Sequence, residues 1–442
     1  MSFSPSRKMR LLPLIGATYF MVSGGPYGLE DIIGKAGYVR ALLLLLVIPL
    51  VWSVPTSLMV GELASALPSE GGYYCWVRRA LGPFWGFQEA WLSMAASVFD
   101  MAIYPVTFVL YLGEVAPTWT AGYRGTAWAL AIVILCIAWN LRGASAVGEG
   151  SVVMFAALLT PFAVLVAIGF WHWHIVGRGW TAISRPVATR DLSGALLVTL
   201  WNYMGWDNAS TVAQEVSEPQ KNYPRAMLAS AGLVALTYIL PLAAVGLAGI
   251  SADQFSTGAW TEAARQLAGP WLAFAVVLGG TLSGLGMFNA LMMSYTRVPY
   301  ALAEERLLPK SLTLRTKAGV PWVSVLVCGI AWALALRLTF ERLISIDLVL
   351  YGAALLLEFV ALAVLRLREP ELHRPFRIPG GMPTVLLAGI GPAALIFFAL
   401  YAARTERLAG IPSLLFATLV ALAGPLLYLI ARWRWQSSIA SL

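Results

Sequence analysis

Six carboxylates fall inside or beside long apolar runs: Glu30, Asp31, Glu62, Asp100, Asp207 and Glu358. An acid in a membrane span costs ~2.5–3.5 kcal/mol on insertion and usually has work to do. No Lys or Arg is evident deep inside the same runs. Acids without fixed partners suit a cationic substrate, a proton or both, because burial favours the neutral form that a proton carrier needs. Asp100 is the clearest case, mid-way through WLSMAASVFDMAIYPVTF, with Tyr104 one helical turn later on the same face. The alternative is an acid simply held by a hydroxyl or backbone partner. Asp207 lies in LWNYMGWDNASTVAQEV (residues 200–216) with Asn202, Gly205 and Asn208. Glu62 sits near the end of its run, where capping or loop anchoring is the better role. Glu358, one turn beyond Ala354, serves packing as readily as direct chemistry.

Two of the runs are interrupted. In VSGGPYGLEDIIGKAG (residues 22–37) the helical pattern stops at Gly24-Gly25-Pro26. Proline removes a donor and clashes with the preceding turn, and glycine reaches dihedrals closed to other residues. Backbone groups freed at membrane depth are tolerated where they line a cavity. Half-helix N-termini then suit a carboxylate and exposed carbonyls an ammonium. A plain proline kink is the competing reading. The second interruption, around Gly205, is flanked by Trp201, Tyr203 and Trp206. Aromatic rings there can attract a cation and occlude a site. Asp31 points about 100° around a helix from Glu30, so the two acids need not share a task.

The elements that position these residues are membrane helices. The chain has 442 residues, 59% hydrophobic and only 12% charged, whereas soluble domains carry about 25% charge. Spans need ~20 mostly apolar residues. Twelve candidates follow: 12–36, 40–66, 84–112, 125–141, 149–171, 192–213, 225–249, 270–300, 320–338, 342–366, 383–403 and 411–431. The net charge of +8 comes from basic residues scattered between spans, which marks topology rather than nucleic-acid binding. Lys and Arg are densest at Arg306, Lys310, Arg315 and Lys317, and again at Arg366, Arg368, Arg374 and Arg377. Those loops are assigned to the cytoplasm, and with them both termini, although Arg178, Arg185 and Arg190 run against the rule. Arg7, Lys8 and Arg10 precede a span with no small-residue cleavage site after it, so no cleavable signal is expected. Cys75, Cys136 and Cys328 are too scattered for a disulfide framework or metal site. His172 and His174 flank Trp173 after a span, an interfacial setting with no third ligand nearby. The interrupted spans open two five-span halves, 12–171 and 192–366, with 383–431 left over as two extra helices. Breaks at matching positions in two halves point to a transporter's binding site, and odd-numbered halves are inverted.

At these residues the sequence resembles the amino acid–polyamine–organocation (APC) transporter superfamily. GELASALPSEGGYYCWVRRALGPFWGFQEAW (residues 61–91) resembles its signature from span 2 to span 3. GWDNASTVAQEVSEPQKNYPRAM (205–227), ALAEERLLPKSL (301–312) and HRPFRIPGG (373–381) resemble its span 6 exit, post-span-8 stretch and pre-span-11 loop. The likeness covers most of the chain. SGGPYGLED, Asp100 with Tyr104-Pro105, and Trp201-Asn202 ahead of Trp206-Asp207 resemble the plant-type polyamine uptake transporters and their bacterial relatives.

The resemblance implies an all-α, leucine-transporter-type fold in one transmembrane domain, with alternating access and proton-coupled uptake of amino acids or polyamines. The backbone at Ser23, Gly24 and Gly25 would hold the substrate's charged head group, and Trp201 would be the gate. Asp207 matches a coupling position, Glu30 and Asp100 match amine-binding acids, and Tyr351 lies in a span-10 stretch of the same branch. With Tyr104, Asn202 and Tyr203 these complete the expected substrate site, and Glu30, Asp100 and Asp207 are the candidate proton carriers. The branch carries acids in span 8, whereas residues 286–296 offer Asn289 and Tyr295 but no acid. Many amino acid members carry a span-5 lysine in place of sodium, and residues 149–171 have none. Thr281 and Ser283 are poorly spaced for a sodium site, so the proton is the expected coupling ion and no cofactor is implied. A monomer in the inner or plasma membrane is expected, with lipid and a small molecule as its partners. An exchanger of the same fold and a non-transporting nutrient sensor are the alternatives. No nucleophile–base pair or metal cluster suggests an enzyme.

Overall fold

The computed structural model describes residues 8–177, 181, 183–187, 190–336, 340–405, 407–408 and 410–436. Arg7, Arg178 and the last two residues of candidate span 320–338 lie outside that set. Nine helices among the described residues are long and apolar enough to cross a membrane. Each coincides with one candidate span. The chain is a multi-pass membrane protein. Leu386, Leu387, Ile390, Leu415, Leu419 and Leu426 stand exposed on its last two helices, a surface whose solvent is hydrocarbon.

The other three candidates are shorter or broken. The first is α1 (Leu11–Val22) and α2 (Glu30–Ala36), separated by an irregular stretch. The sixth is α8 (Leu192–Asn202), followed by a tight 3-10 turn over Trp206–Thr211. The ninth is α13 (Trp322–Ala335), only 14 residues long. Between them run α3 (Tyr38–Ala66), α4 (Tyr73–Leu81), α5 (Pro83–Val115), α6 (Tyr123–Asn140) and α7 (Ala144–Val176). The second half continues with α9 (Pro219–Leu247), α10 (Trp260–Ala268), α11 (Pro270–Tyr295) and α12 (Arg297–Glu304). After α13 come α14 (Phe340–Arg368), α15 (Gly381–Ala402) and α16 (Ser413–Ala431). A two-residue antiparallel ladder, Arg407–Leu408 against Ile411–Pro412, joins the last two helices.

The long helices carry short local defects with identifiable causes. In α3 the chain widens to a π turn over Pro49–Ser53. Pro55 follows and cannot donate to the carbonyl of Val51, so the ladder reforms around it. α5 is the central post, packed by α11, α14, α4 and α16, while α1 lies against α7, α9 and α11.

One end of the bundle is sealed by polar contacts. Met9 N–H donates to Glu215 O and accepts Ser217 N–H at its own carbonyl, both at 2.9 Å. Arg297, fully buried, donates from Nε to Glu215 Oε1 at 3.0 Å. Arg315 donates to Glu70 Oε2 at 2.8 Å. Burial pushes the Glu70 carboxyl up from its ordinary value, against the pull of Arg297 and Arg315. Arg366 donates twice to Glu62, and Ile378 N–H adds a bond of 2.8 Å. Glu62 therefore anchors the loop before α15, as its position near the end of its span suggests.

Candidate functional site

Each break finds its backbone partners in side chains from other helices. Trp260 Nε1 donates to Pro26 O at 2.8 Å, and Asn202 Nδ2 donates to Gly28 O at 3.3 Å. On the second break, Tyr238 donates to Asn202 O at 2.7 Å and Trp52 Nε1 to Tyr203 O at 3.0 Å. Gly205 N–H donates to Tyr351 Oη at 3.0 Å. Unpaired backbone groups in hydrocarbon cost several kcal/mol each, so these contacts let the helices stay open at mid-depth. The breaks also touch. Gly205 has φ of +92°, and a Cβ there would lie 2.3 Å from the carbonyl oxygen of Met21. Only glycine meets both demands.

Between the breaks lies a small cavity of about 30 Å³, room for little more than a water molecule. Asp100, Tyr104, Trp201, Asn202, Asp347 and Tyr351 contribute its polar and aromatic lining, and among the described residues no Lys, Arg or His takes part. Tyr104 donates to Asp100 Oδ1 at 2.5 Å, and Trp201 and Tyr295 also reach the Asp100 carboxylate. Tyr351 donates to Asp207 Oδ1 while accepting Gly205 N–H. It thus couples the second break to a buried acid. The rings of Tyr104 and Trp201 are stacked, with centroids 6.5 Å apart and planes 17° from parallel. Beyond them a second small space of about 40 Å³ is lined by Asp31, Tyr111 and Thr257, and it shares Tyr27, Tyr104, Trp201 and Met287 with the first. The stacked pair is the partition between the two.

The family model described as amino acid permease matches residues 14–424. This chain belongs to that family, within the APC superfamily. The permease is similar to a probable polyamine transporter of Arabidopsis thaliana, 34% identical over 437 residues, 98% of this chain and 87% of the relative. It is 33% identical to the polyamine transporter PUT1 of Oryza sativa subsp. japonica over 394 residues, covering 89% and 73% of the two chains. The serine/threonine exchanger SteT of Bacillus subtilis is 27% identical over 347 residues, covering 75% and 77%. The permease is accordingly a transporter and not an enzyme.

Of the residues picked from sequence, Gly24, Asp100, Tyr104, Trp201, Asn202 and Tyr351 line the cavity. The others stand close behind it. Ser23 Oγ accepts Gly25 N–H at 3.0 Å, and Tyr203 donates to Leu45 O at 2.9 Å. Glu30 accepts Gly28 N–H at 2.7 Å, Gly258 N–H at 3.3 Å and the Tyr111 hydroxyl. Asp207 is buried behind Tyr351. Asn289, the polar residue noted in span 8, accepts from Asn140 Nδ2 at 2.8 Å.

Three acids escaped the sequence reading or were undervalued by it. Asp347 lines the cavity itself. A signal for it existed: Asp347 precedes Tyr351 by four residues, as Asp100 precedes Tyr104. Glu89, inside the signature motif, accepts from Ser93 at 2.8 Å through one oxygen while Oε2 has no hydrogen-bond partner among the described residues. Glu358 is fully buried, and among the described residues neither of its carboxylate oxygens finds a hydrogen-bond partner. Both carboxylates lie within the electrostatic reach of Asp207.

Proposed function

We propose that this permease takes up small amines, polyamines or amino acids, in exchange for the energy of an inward proton gradient. The observation that carries the reading is a cavity between two helix breaks, lined by carboxylates and, among the described residues, by no basic side chain. A membrane-buried site of that sign favours cations. The polyamine transporters among its relatives support the same class of substrate.

The fold reading that goes with it is twelve spans as an inverted 5+5 repeat, residues 12–171 and 192–366, with 383–431 outside the repeat. The chain works as a monomer in the inner or plasma membrane, both termini in the cytoplasm. The Met9–Glu215, Arg297–Glu215 and Arg315–Glu70 contacts then form the cytoplasmic seal, and the Tyr104–Trp201 pair faces the outside. Substrate enters from the space beside Asp31, displaces the stacked pair and brings an ammonium to Asp100. Trp201 closes over it. Asn202 and the carbonyls at Ser23–Gly25 complete the contact shell, with Tyr203 and Tyr351 holding the second break in shape. Protonation of Glu30, Asp100 or Asp207 from the outside neutralises a buried charge and favours closure over the substrate. Release of proton and substrate together on the inner side couples the two flows. No cofactor takes part. Sodium is the weaker coupling ion, since Thr281 and Ser283 are poorly spaced for a sodium site.

The likeness to a serine/threonine exchanger favours a second mode in which one amine or amino acid leaves as another enters. Uptake by purified protein in liposomes tests both. Putrescine, spermidine, lysine and serine are compared with and without an inward proton gradient and with a preloaded lumen. Gradient-driven accumulation of an amine is the expected result. Accumulation of none of them would sink the transport reading, dependence on sodium without pH would remove the proton, and a strict need for preloading would make the protein an exchanger.

A further inference from the structure

The two acids of the cavity are built alike and held differently. Each lies four residues before a tyrosine, so acid and hydroxyl share a helix face. Tyr104 donates to Asp100 at 2.5 Å. Tyr351 turns instead to Asp207 and to Gly205 N–H. Asp347 is thereby left with Oδ2 buried and without a hydrogen-bond partner among the described residues, on a side chain only 2% exposed. The charges that act on it, Asp100 and Asp207, are both negative. Burying an unpaired carboxylate beside others is costly unless a cation joins them. An orphaned acceptor in the wall of a ligand cavity marks where that cation goes.

The number of charges narrows the ligand. A monoamine compensates one carboxylate and leaves the other. An α-amino acid adds a carboxylate of its own, which needs backbone N–H donors at the first break. Two of those donors are already used, Gly25 N–H by Ser23 at 3.0 Å and Gly28 N–H by Glu30 at 2.7 Å. A ligand with two ammonium groups and no acid leaves none of these demands unmet.

We infer that Asp347 is a specificity-determining residue, the second anionic pole of the cavity, which receives the far ammonium of a diamine whose near ammonium sits on Asp100. The inference rests on the amine-transport reading above. It supplies from span 10 the acid that span 8 lacks.

The test is a binding comparison on purified full-length protein, using ligand-induced thermal shift with putrescine and with n-pentylamine, its isostere with a methyl in place of one ammonium. Wild type should prefer putrescine. Asp347→Asn should weaken putrescine by ~10–100-fold, the worth of one charge-assisted hydrogen bond. It should leave n-pentylamine within about threefold, which also reports that the variant is folded. Asp347→Glu keeps the charge and extends it by a methylene, so it should keep the diamine preference and move the optimum towards diaminopropane. Equal weakening of both ligands by Asp347→Asn, no weakening of putrescine, or an unchanged diamine ranking in Asp347→Glu would overturn the inference alone. Failure of wild type to bind either amine would instead remove the transport reading beneath it.

Discussion

Alanine at Gly205 drives the two helix breaks apart. The residue has φ of +92° and ψ of 10°, so any side chain costs ~1–2 kcal/mol in backbone strain. The new Cβ would stand 2.3 Å from Met21 O, whereas ordinary contact begins near 3.4 Å, so one break must retreat by about 1.1 Å. Both partners are main chain and neither can rotate away. Gly28 provides the control. It has φ of +90°, but the nearest atoms to a Cβ there belong to side chains, Asn202 Oδ1 at 3.3 Å and Trp201 Cζ3 at 3.5 Å. Gly28→Ala therefore pays the same strain with almost no displacement. A shift of about 1 Å in a positioned site can cost ~100-fold in rate. Gly205→Ala should lower amine uptake in liposomes at least ~10-fold more than Gly28→Ala does. Thermal unfolding of both variants, followed in parallel, separates lost fold from lost geometry. Equal uptake by the two variants would refute the claim that contact between the breaks shapes the cavity.

Other substitutions address single contacts. Asp100→Asn keeps an acceptor for Tyr104 but removes the charge, so putrescine affinity should fall ~10–100-fold with little change in unfolding temperature; intact putrescine uptake would remove Asp100 from the site. Trp201→Ala deletes the partition, and uptake should drop ~10-fold or more while Trp201→Phe, which keeps a ring against Tyr104, retains most of it. Tyr351→Phe strips Asp207 of a donor and Gly205 N–H of its acceptor. It should destabilise the protein by ~1–3 kcal/mol, read as a lower unfolding temperature, and uptake should lose part of its pH dependence.

Much of this site was legible because membranes make defects conspicuous. Gly24-Gly25-Pro26 and the Asn202–Gly205 stretch interrupt apolar runs, and an interruption in hydrocarbon must be answered by a neighbour. Asp100 stood out because it is central in a long span with a tyrosine one turn away. Depth was harder to read. Asp347 lies near the start of its span, where an acid looks interfacial, and only packing against α5 and the second break buries it. The environment of Glu30 was invisible for a similar reason: Tyr111 and Gly258 are 81 and 228 residues away. From sequence alone Glu30 reads as an acid facing a substrate, whereas in the fold its oxygens close the first break. The same limit applies to α4 and α10, short helices that lie outside the apolar runs and that hydropathy does not register. α10 nonetheless supplies Trp260, whose indole holds Pro26 O.

The measurement that bears most directly on the account is a cryo-EM structure of the purified permease with putrescine bound. The account predicts extended density inside the cavity beneath Trp201, with one end at hydrogen-bonding distance from Asp100 and the other from Asp347. Density confined to the space beside Asp31, or a ligand whose ends touch neither acid, would contradict it.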